Sequence, residues 1–214
     1  MAIFKGQVKA NIIDVRFAIA GKVSSVAKKT GDVVKKWGLV ASLDRKILQT
    51  ELDSQLADYE KARADFEIFN QKNPDPQEAV DKYLKTEKQA VLNASVKDVE
   101  LAKAKLDQAD LFSPVDGIIL DDNSIVPGIY VTPAGSLVRI IDTSSFYFEI
   151  GTDQKDIELF KEEKTVKVKI EGFTPNEIEG KISPVFSDGK SFFVKIPLNN
   201  IQGLLLGMNG EIKI

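Results

Sequence analysis

The feature that most constrains this chain is an internal repeat whose two copies are separated by a long stretch of different character. Residues 16–44 and 112–142 both alternate like short strands and turn at glycine. The landmarks are Gly21, Val23, Gly31, Val34 and Leu43 in the first copy, and Gly117, Ile119, Gly128, Val131 and Ile140 in the second. One strand pair cannot bury its apolar face alone, but two halves packed together can. We therefore expect both copies to fold against each other into one small β-sandwich.

The segment between the copies, residues 45–110, has the periodicity of a helical hairpin. Apolar side chains in residues 45–72 recur in steps of three and four, which is the spacing of a coiled-coil seam. These positions are Leu48, Leu52, Leu56, Tyr59, Ala62, Phe66 and Phe69. A second stripe comprises Leu92, Val96, Val99, Ala102, Leu106 and Ala109. We expect two antiparallel helices that share this seam.

The reversal between the helices is predicted at residues 73–76, where asparagine and aspartate alternate with proline. Asp75 suits the N-cap of the second helix, and Pro76 suits its first helical position. Glu78 would complete a capping box with Asp75. The second helix is therefore predicted over residues 76–110.

Nearer the turn, the apolar residues of the second helix fall at Val80, Tyr83 and Leu84, out of phase with the later stripe. This predicts a phase slip in the coiled coil. Two helices can shelter little apolar surface by themselves, and isolated helices are marginal in water. One interpretation is a simple exposed arm. The other, which we favour, is an arm that packs against copies of itself and reaches a partner with its tip.

The C-terminal part of the chain, residues 143–214, returns to strand-like alternation and predicts a small β-barrel. One short helix is expected over residues 153–160, with Asp153 as a cap-like residue at its start. The opening residues 1–15 are predicted to add a strand to this barrel.

Composition excludes several functions. Lysine and arginine number 29 against 32 acidic residues, and this net charge of −3 argues against nucleic-acid binding. The chain has no cysteine and no histidine, so a cysteine nucleophile, a thiolate metal site, the commonest general base and the commonest neutral metal ligand are missing. No catalytic, cofactor-binding or metal-binding residue is predicted, and none of these groups is expected. No apolar run is long enough to span a bilayer.

Short motifs in both copies resemble a known fold. Residues 21–44, with the segments GKV, TGDVVKK and LVASLD, are similar to the first half of the biotinyl/lipoyl fold, and residues 113–131 are similar to the second half. Carrier domains join these halves by a short turn bearing a modified lysine. Membrane fusion proteins, the HlyD-like periplasmic adaptor subunits of efflux transporters, have an inserted helical hairpin there, as this chain does. The family usually has glycine where this chain has Trp37, followed here by Gly38.

The resemblance implies a mainly β fold with a long α-helical hairpin. A lipoyl-like β-sandwich, interrupted by the coiled-coil hairpin, would be followed by a small β-barrel. The implied domains are residues 16–44 plus 111–142 (lipoyl-like), 45–110 (hairpin), and 1–15 plus 143–214 (barrel).

The resemblance also implies a function. The chain would be a non-enzymatic adaptor subunit of a multi-component efflux or secretion transporter. It would bridge an inner-membrane permease, of ABC or RND type, to an outer component. A homo-oligomeric ring of six protomers is implied, on the extracytoplasmic face of the inner membrane, in the periplasm. Membrane attachment would come through a segment outside this chain.

The hairpin tip is the predicted partner-binding surface. It comprises Phe69, Asn70, Gln71, Lys72, Asn73, Asp75 and Gln77. Known adaptors engage an outer-membrane channel through a spaced Arg, Leu and Ser near the tip. Here the fourth residue after Arg63 is Glu67 rather than leucine, so an outer-membrane channel, a different outer component or a cell without an outer membrane all stay open.

Three other sites were weighed against ordinary structural roles. Lys46 lies near the point where a carrier lysine would be, which leaves a biotinyl/lipoyl-type carrier domain of an acyl- or carboxyl-transfer enzyme as the alternative function. Residues 121–124 are rich in oxygen ligands but lack the spacing of a calcium loop, and predict a polar turn. Residues 93–95 match a glycosylation acceptor but fall inside a predicted helix.

Overall fold

A computed structural model describes residues 2–174, 177–198, 201 and 203–214. Within these residues the chain forms a seven-stranded sheet, two four-stranded sheets and a long helical hairpin. The elements are β1 (Ile3–Lys9), β2 (Ile12–Arg16), β3 (Gly21–Val26), β4 (Val33–Val34), β5 (Leu39–Leu43), α1 (Lys46–Lys72), α2 (Ala79–Asp107), β6 (Asp110–Phe112), β7 (Gly117–Asp121), β8 (Tyr130–Val131), β9 (Leu137–Asp142), β10 (Tyr147–Thr152), a 3₁₀ helix (Gln154–Leu159), β11 (Thr165–Ile170), β12 (Glu177–Lys181), β13 (Phe186–Ser187), β14 (Phe192–Pro197) and β15 (Asn209–Lys213). Residues 1, 175–176, 199–200 and 202 of the predicted barrel lie outside the described residues.

The seven-stranded sheet is antiparallel, with the order β12-β11-β15-β1-β10-β14-β13. Its inward side chains form one core, whose most deeply buried members include Val8, Phe148, Ile150, Val168, Val194, Ile196 and Ile212. Just after β12, the amide of Ser183 donates a 2.9 Å hydrogen bond to the carbonyl of Lys195 on β14. The sheet therefore curls until the chain leaving β12 meets β14.

The two smaller sheets enclose a second core and are called here the two-sheet body. Their orders are β2-β9-β7-β4 and β6-β5-β3-β8. Buried residues from both sheets, such as Val23, Leu43, Ile119 and Ile140, belong to one cluster. Each half lends a short strand to the other half, because β4 pairs with β7 and β8 pairs with β3. The prediction that the two copies fold against each other is confirmed.

The repeat is visible in the hydrogen bonds between the halves. The amide of Gly31 donates to the carbonyl of Ile119, and the amide of Gly128 donates to the carbonyl of Val23, both at 2.8 Å. These two bonds are equivalent under the repeat. Gly31 and Gly128 have φ values of +91° and +97°, in the left-handed region that glycine tolerates best. Both turns therefore need glycine for the same conformational reason.

The helical hairpin is inserted between β5 and β6, as predicted, but the start of its second helix differs. α2 begins at Ala79 with Glu78 as N-cap, and Glu78 makes no side-chain capping bond. The predicted capping box is wrong because the Asp75 carboxylate accepts a 2.7 Å hydrogen bond from the Gln77 side chain instead. α2 also ends at Asp107 rather than at residue 110, since Asp110 pairs with Ser42 as the first residue of β6.

Two further predictions are adjusted. The short helix after β10 is a 3₁₀ helix, and Asp153 occupies its N-cap without a side-chain capping bond. Strand β2 pairs with β9, so residues 12–16 lie in the two-sheet body rather than with β1. Neither long helix nor the 3₁₀ helix contains an apolar stretch sufficient to cross a membrane, among the residues described.

Candidate functional site

The hairpin is held together by a narrow seam of small and apolar side chains. Ala62 on α1 and Ser95, Ala102 and Leu106 on α2 are its buried residues. Of the other seam positions predicted from the sequence, Ala109 is fully buried just beyond the end of α2, Leu56 is 40% exposed, and the rest are partly covered. An ion pair of 2.7 Å between Lys105 and Glu51 joins the two helices near their base. Small residues let the helices approach closely, so the hairpin forms a thin rod.

The seam of α2 keeps one phase from base to tip, so the predicted phase slip is wrong. Toward the tip its partly covered positions are Asp81, Lys85, Lys88 and Leu92, which continue the steps of three and four. Polar side chains therefore occupy the seam near the tip. The apolar residues that suggested a slip lie on the outside of the hairpin instead.

This exposed apolar surface is a candidate functional feature that the sequence analysis did not assign. Val80 is 65% exposed, Tyr83 76% and Leu84 38%. Val91 further along α2 and Ile68 on α1 are also exposed. The sequence showed these apolar residues out of phase with the rest of the stripe on α2. They were nevertheless predicted to lie in the seam between the helices. We call Val80, Tyr83 and Leu84 the α2 outer row.

The seven predicted tip residues divide into two groups. Phe69, Asn70 and Asn73 are partly covered. Gln71, Lys72, Asp75 and Gln77 are exposed and can reach a partner. The structure thus brings four of the seven to the surface at the end of the hairpin.

Local hydrogen bonds shape the tip. The amide of Asn73 donates to the carbonyl of Phe69 at 2.9 Å, which closes the last turn of α1. The side-chain bond between Gln77 and Asp75 then orders the connecting loop. The Oδ1 atom of Asn70 is buried and has no hydrogen-bond partner among the described residues. A buried polar atom without a partner costs free energy, so Asn70 destabilises the end of α1.

Lys46 and the possible glycosylation motif at residues 93–95 have structural roles. Lys46 is the first residue of α1, and its amide donates to the Asp44 carboxylate at 3.0 Å. A lysine at the start of a helix is not on the exposed hairpin turn that a carrier domain presents. Asn93 is exposed on α2, while Ser95 of the same acceptor motif is buried and donates to the carbonyl of Leu92.

The carboxylates of residues 121–122 are engaged by protein donors. Asp121 accepts from Arg139 at 2.7 Å and from the amide of Asn123 at 2.8 Å. The bond from Arg139, followed by that amide, lowers the pKa of Asp121 below its ordinary value. Asp122 accepts from the amide of Ser124 at 3.0 Å. Among the described residues, no group of three or more acidic side chains is placed to hold a metal ion.

Arg63 and Glu67, the residues that depart from the known tip pattern, form an ion pair of 2.8 Å one turn apart on α1. The hydrogen bond that Arg63 donates to the Glu67 carboxylate, together with the negative charge of that carboxylate, raises the pKa of Arg63. Both side chains are more than half exposed. The pair is therefore a surface contact along the helix, and such pairs contribute little to stability.

This architecture, a long hairpin inserted between the halves of a two-sheet body and a curled sheet beyond it, is the fold of the membrane fusion and periplasmic adaptor proteins. The resemblance is confirmed at the level of the fold by solved structures. The chain matches the MacA-MexA chimeric protein containing the Pseudomonas aeruginosa MexA α-hairpin domain with a TM-score of 0.83 and 22% identity, covering 99% of this chain and 77% of that one.

Two other structures agree. The membrane fusion protein Spr0693 from Streptococcus pneumoniae matches with a TM-score of 0.79 and 16% identity, over 100% of this chain and 98% of that one. The periplasmic adaptor protein EmrA matches with a TM-score of 0.56 and 17% identity, over 99% and 96%.

Sequence comparison reaches less far. No family model matches the chain. An uncharacterized protein of Haemophilus influenzae is 27% identical over 146 residues, which make up 65% of this chain. The match covers 36% of that protein, so the chain corresponds to little more than a third of its relative's length.

Proposed function

We propose that this chain is a non-enzymatic adaptor subunit of a multi-component efflux or secretion transporter. In this role it bridges a permease of the inner membrane to an outer component, and it works on the extracytoplasmic face of that membrane, in the periplasm. The observation that carries the proposal is the hairpin, which has 27 residues in α1 and 29 in α2 and leaves apolar side chains exposed on both helices.

The exposed apolar residues argue for contacts beyond the single chain. On α1, Ile47 is 80% and Ile68 50% exposed, and on α2, Val91 is 52% and Leu101 57% exposed. Single exposed apolar residues are ordinary, but here they recur along both helices of a thin rod. Packing of neighbouring hairpins, α1 of one copy beside α2 of the next, would cover them. We therefore propose a homo-oligomeric ring, of six protomers as in the resembled family.

Three parts of the chain take separate roles in this proposal. The curled seven-stranded sheet is the small β-barrel and contacts the permease. The two-sheet body is the lipoyl-like domain and forms a collar with its copies. The hairpin extends the conduit, and the tip residues with the α2 outer row meet the outer component. Because β2 pairs with β9, we place the first boundary between barrel and lipoyl-like domain at residues 10–11 instead of after residue 15.

No chemistry on substrate is needed for this role. The sealing and bridging of a conduit depend on shape and surface contact, and the chain offers neither histidine nor cysteine. Nucleic acid is not a partner in this proposal, since the net charge is −3.

The test is co-purification of the tagged protein, expressed from its own locus, with the permease encoded beside it. We expect the permease to be captured and its sequence to identify it as ABC- or RND-type. Failure to capture any permease after mild crosslinking would contradict the proposal. A modified lysine at position 46, seen by mass spectrometry, would favour the carrier alternative instead.

A triple variant and a control variant test partner binding at the tip. Replacing the α2 outer row by serine (V80S, Y83S and L84S together) should abolish crosslinks from Gln77 to the outer component, while permease capture is retained. Val126→Ser, which removes a 45% exposed apolar residue between β7 and β8, outside the hairpin, is the control and should keep these crosslinks. Equal loss in both variants would show that the row has no special part in partner binding.

A further inference from the structure

Trp37 has an unfavourable backbone conformation and a side chain that is left in solvent. Its φ is +63°, in the left-handed region that bulky residues avoid. The turn is fixed by two hydrogen bonds, from the amide of Trp37 to the carbonyl of Ser113 at 2.7 Å and from the amide of Gly38 to the carbonyl of Lys35 at 2.8 Å. The side chain is 72% exposed. Backbone strain of this kind clusters at functional sites, so the turn is a candidate contact point.

Two more exposed apolar side chains adjoin Trp37. Leu39 and Phe112 are direct partners across β5 and β6, and they are 36% and 42% exposed. Both face away from the core, since their neighbours Val40 and Leu111 are buried. We call Trp37, Leu39 and Phe112 the Trp37 patch. Lys35 and Lys36 are exposed beside it, and the Lys36 ammonium is 5.8 Å from the indole ring.

The opposite outer face of the two-sheet body contains a recess of about 580 Å³ on strands β2 and β9. Its lining includes Ile12, Asp14, Arg16, Asp121, Leu137 and Arg139. Asp14 and Arg139 are direct cross-strand partners, as are Arg16 and Leu137, so these side chains project from the same face. Within the described part of the chain, neither Asp14 nor Arg16 forms an ion pair. We call this the Asp14 recess.

The chemistry of the two surfaces is complementary. An indole ring stacks favourably on a guanidinium group, and Arg16 offers one without an acidic partner of its own. Leu137 and Ile12 supply apolar surface for the ring edge. The ammonium groups of Lys35 and Lys36 can pair with the unpaired carboxylate of Asp14. A buried tryptophan surrounded by such a charged rim is a common composition for the centre of a protein interface.

We propose that the Trp37 patch of one copy docks into the Asp14 recess of the next copy, with Trp37 as the anchor. This inference rests on the proposed function, in which copies assemble side by side. The two surfaces belong to different sheets and face in opposite directions, so the contact is head-to-tail and leaves one free patch and one free recess on every pair. Such contacts repeat from copy to copy and generate rings when the rotation closes.

The first measurement is self-association of the full chain by sedimentation velocity. Trp37→Gly should weaken association at least tenfold. It should also raise the unfolding temperature, because glycine relieves the positive φ and the fold is kept. Tyr130→Ala is the control, since Tyr130 is an aromatic residue on β8, in the sheet that contains Leu39 and Phe112, and its exposure of 71% is similar to that of Trp37. Equal association of Trp37→Gly and the unaltered chain overturns the proposal, as does a chain that stays monomeric at the highest concentration reached.

The second measurement defines the direction of the contact. Because the chain has no cysteine, Trp37→Cys and Asp14→Cys provide unique thiols for a short bismaleimide crosslinker. A mixture of the two variants should give crosslinked dimers that contain one of each, and the double variant should give a ladder. Dimers from Trp37→Cys alone indicate a symmetric contact and overturn the proposal.

Failure of the Trp37 contact can be distinguished from failure of the proposed adaptor function. Permease capture by the Trp37→Gly variant is measured in the same preparation. Unchanged self-association together with permease capture overturns only the Trp37 contact. Absence of permease capture by the unaltered protein overturns the adaptor function itself.

Discussion

Thr30 and Asp122 hydrogen-bond to each other although they are 92 residues apart in the chain. The amide of Asp122 donates to the Thr30 hydroxyl at 3.1 Å, and the amide of Thr30 donates to the Asp122 carboxylate at 3.4 Å. One residue comes from each copy of the repeat. This reciprocal contact closes the loops of the two halves over their shared core, and it holds together a body that the hairpin interrupts.

Removing the Thr30 hydroxyl should weaken this closure. Thr30→Val leaves the Asp122 amide without its acceptor, and we expect the free energy of unfolding to fall by about 1 kcal/mol. Thr165→Val, at an exposed position of β11, is the control and should change stability little. Urea denaturation followed by circular dichroism measures both. An unchanged midpoint for Thr30→Val would show that water replaces the hydroxyl at no cost.

The tight contact between β7 and β9 gives a second prediction. A Cβ atom added at Gly117 would lie 2.3 Å from the carbonyl oxygen of Ile141, so Gly117→Ala forces the strands apart. We expect a loss of about 2–3 kcal/mol in unfolding free energy. Gly151→Ala is the matched control, because β10 leaves open space there. If both variants unfold alike, the close approach at Gly117 is incorrect.

The hairpin seam gives a third prediction. Leu106 on α2 is 6% exposed, whereas Leu101 on the same helix is 57% exposed. Leu106→Ala should lower the unfolding free energy by about 2–5 kcal/mol through lost burial and a cavity, while Leu101→Ala should stay within about 0.5 kcal/mol. Thermal melts followed at 222 nm compare the two variants. The reverse order would place the wrong face of α2 in the seam.

The ion pair between Asp121 and Arg139 predicts a dependence of stability on pH. Since these interactions lower the pKa of Asp121 in the folded state, their stabilising effect is fully present above the unfolded pKa of the carboxyl. It is lost as the pH falls through the lower, folded value. The Asp121→Asn variant should therefore have a lower melting temperature than the unaltered protein at neutral pH. This difference in melting temperature should disappear at acidic pH. In a chain that also carries Arg139→Gln, Asp121→Asn should lower the melting temperature by less. A lowering that does not depend on pH would contradict the role given to the Asp121 carboxylate.

Much of the fold could be predicted from local patterns. The repeat of Gly31 and Gly128 predicted two equivalent turns, and both residues have positive φ. The seam over Ala62, Ala102 and Leu106 was predicted by spacing, and these residues are buried. Such features succeed because turn conformation and helical spacing are properties of a short segment.

The sequence-based predictions were wrong where a residue or a strand had two possible partners. Asp75 has the right type and spacing for an N-cap, yet its carboxylate binds the Gln77 side chain. Residues 12–15 were predicted to belong with the barrel, but they lie on β2, which pairs with β9 of the second repeat copy. The partner of β2 depends on distances between segments that are remote in the sequence, whereas both possible partners of Asp75 lie in its own loop.

The sequence by itself determined that two related β halves surround a helical hairpin, because glycine turns and apolar spacing are local. Only the tertiary structure decided which side chains are covered. Leu106 is buried at the base of α2, and the same face of this helix continues to the tip. That face carries Asp81, whereas Val80 and Tyr83 lie on the exposed side. Burial belongs to a pair of packed surfaces, so the pattern of one helix alone cannot assign it.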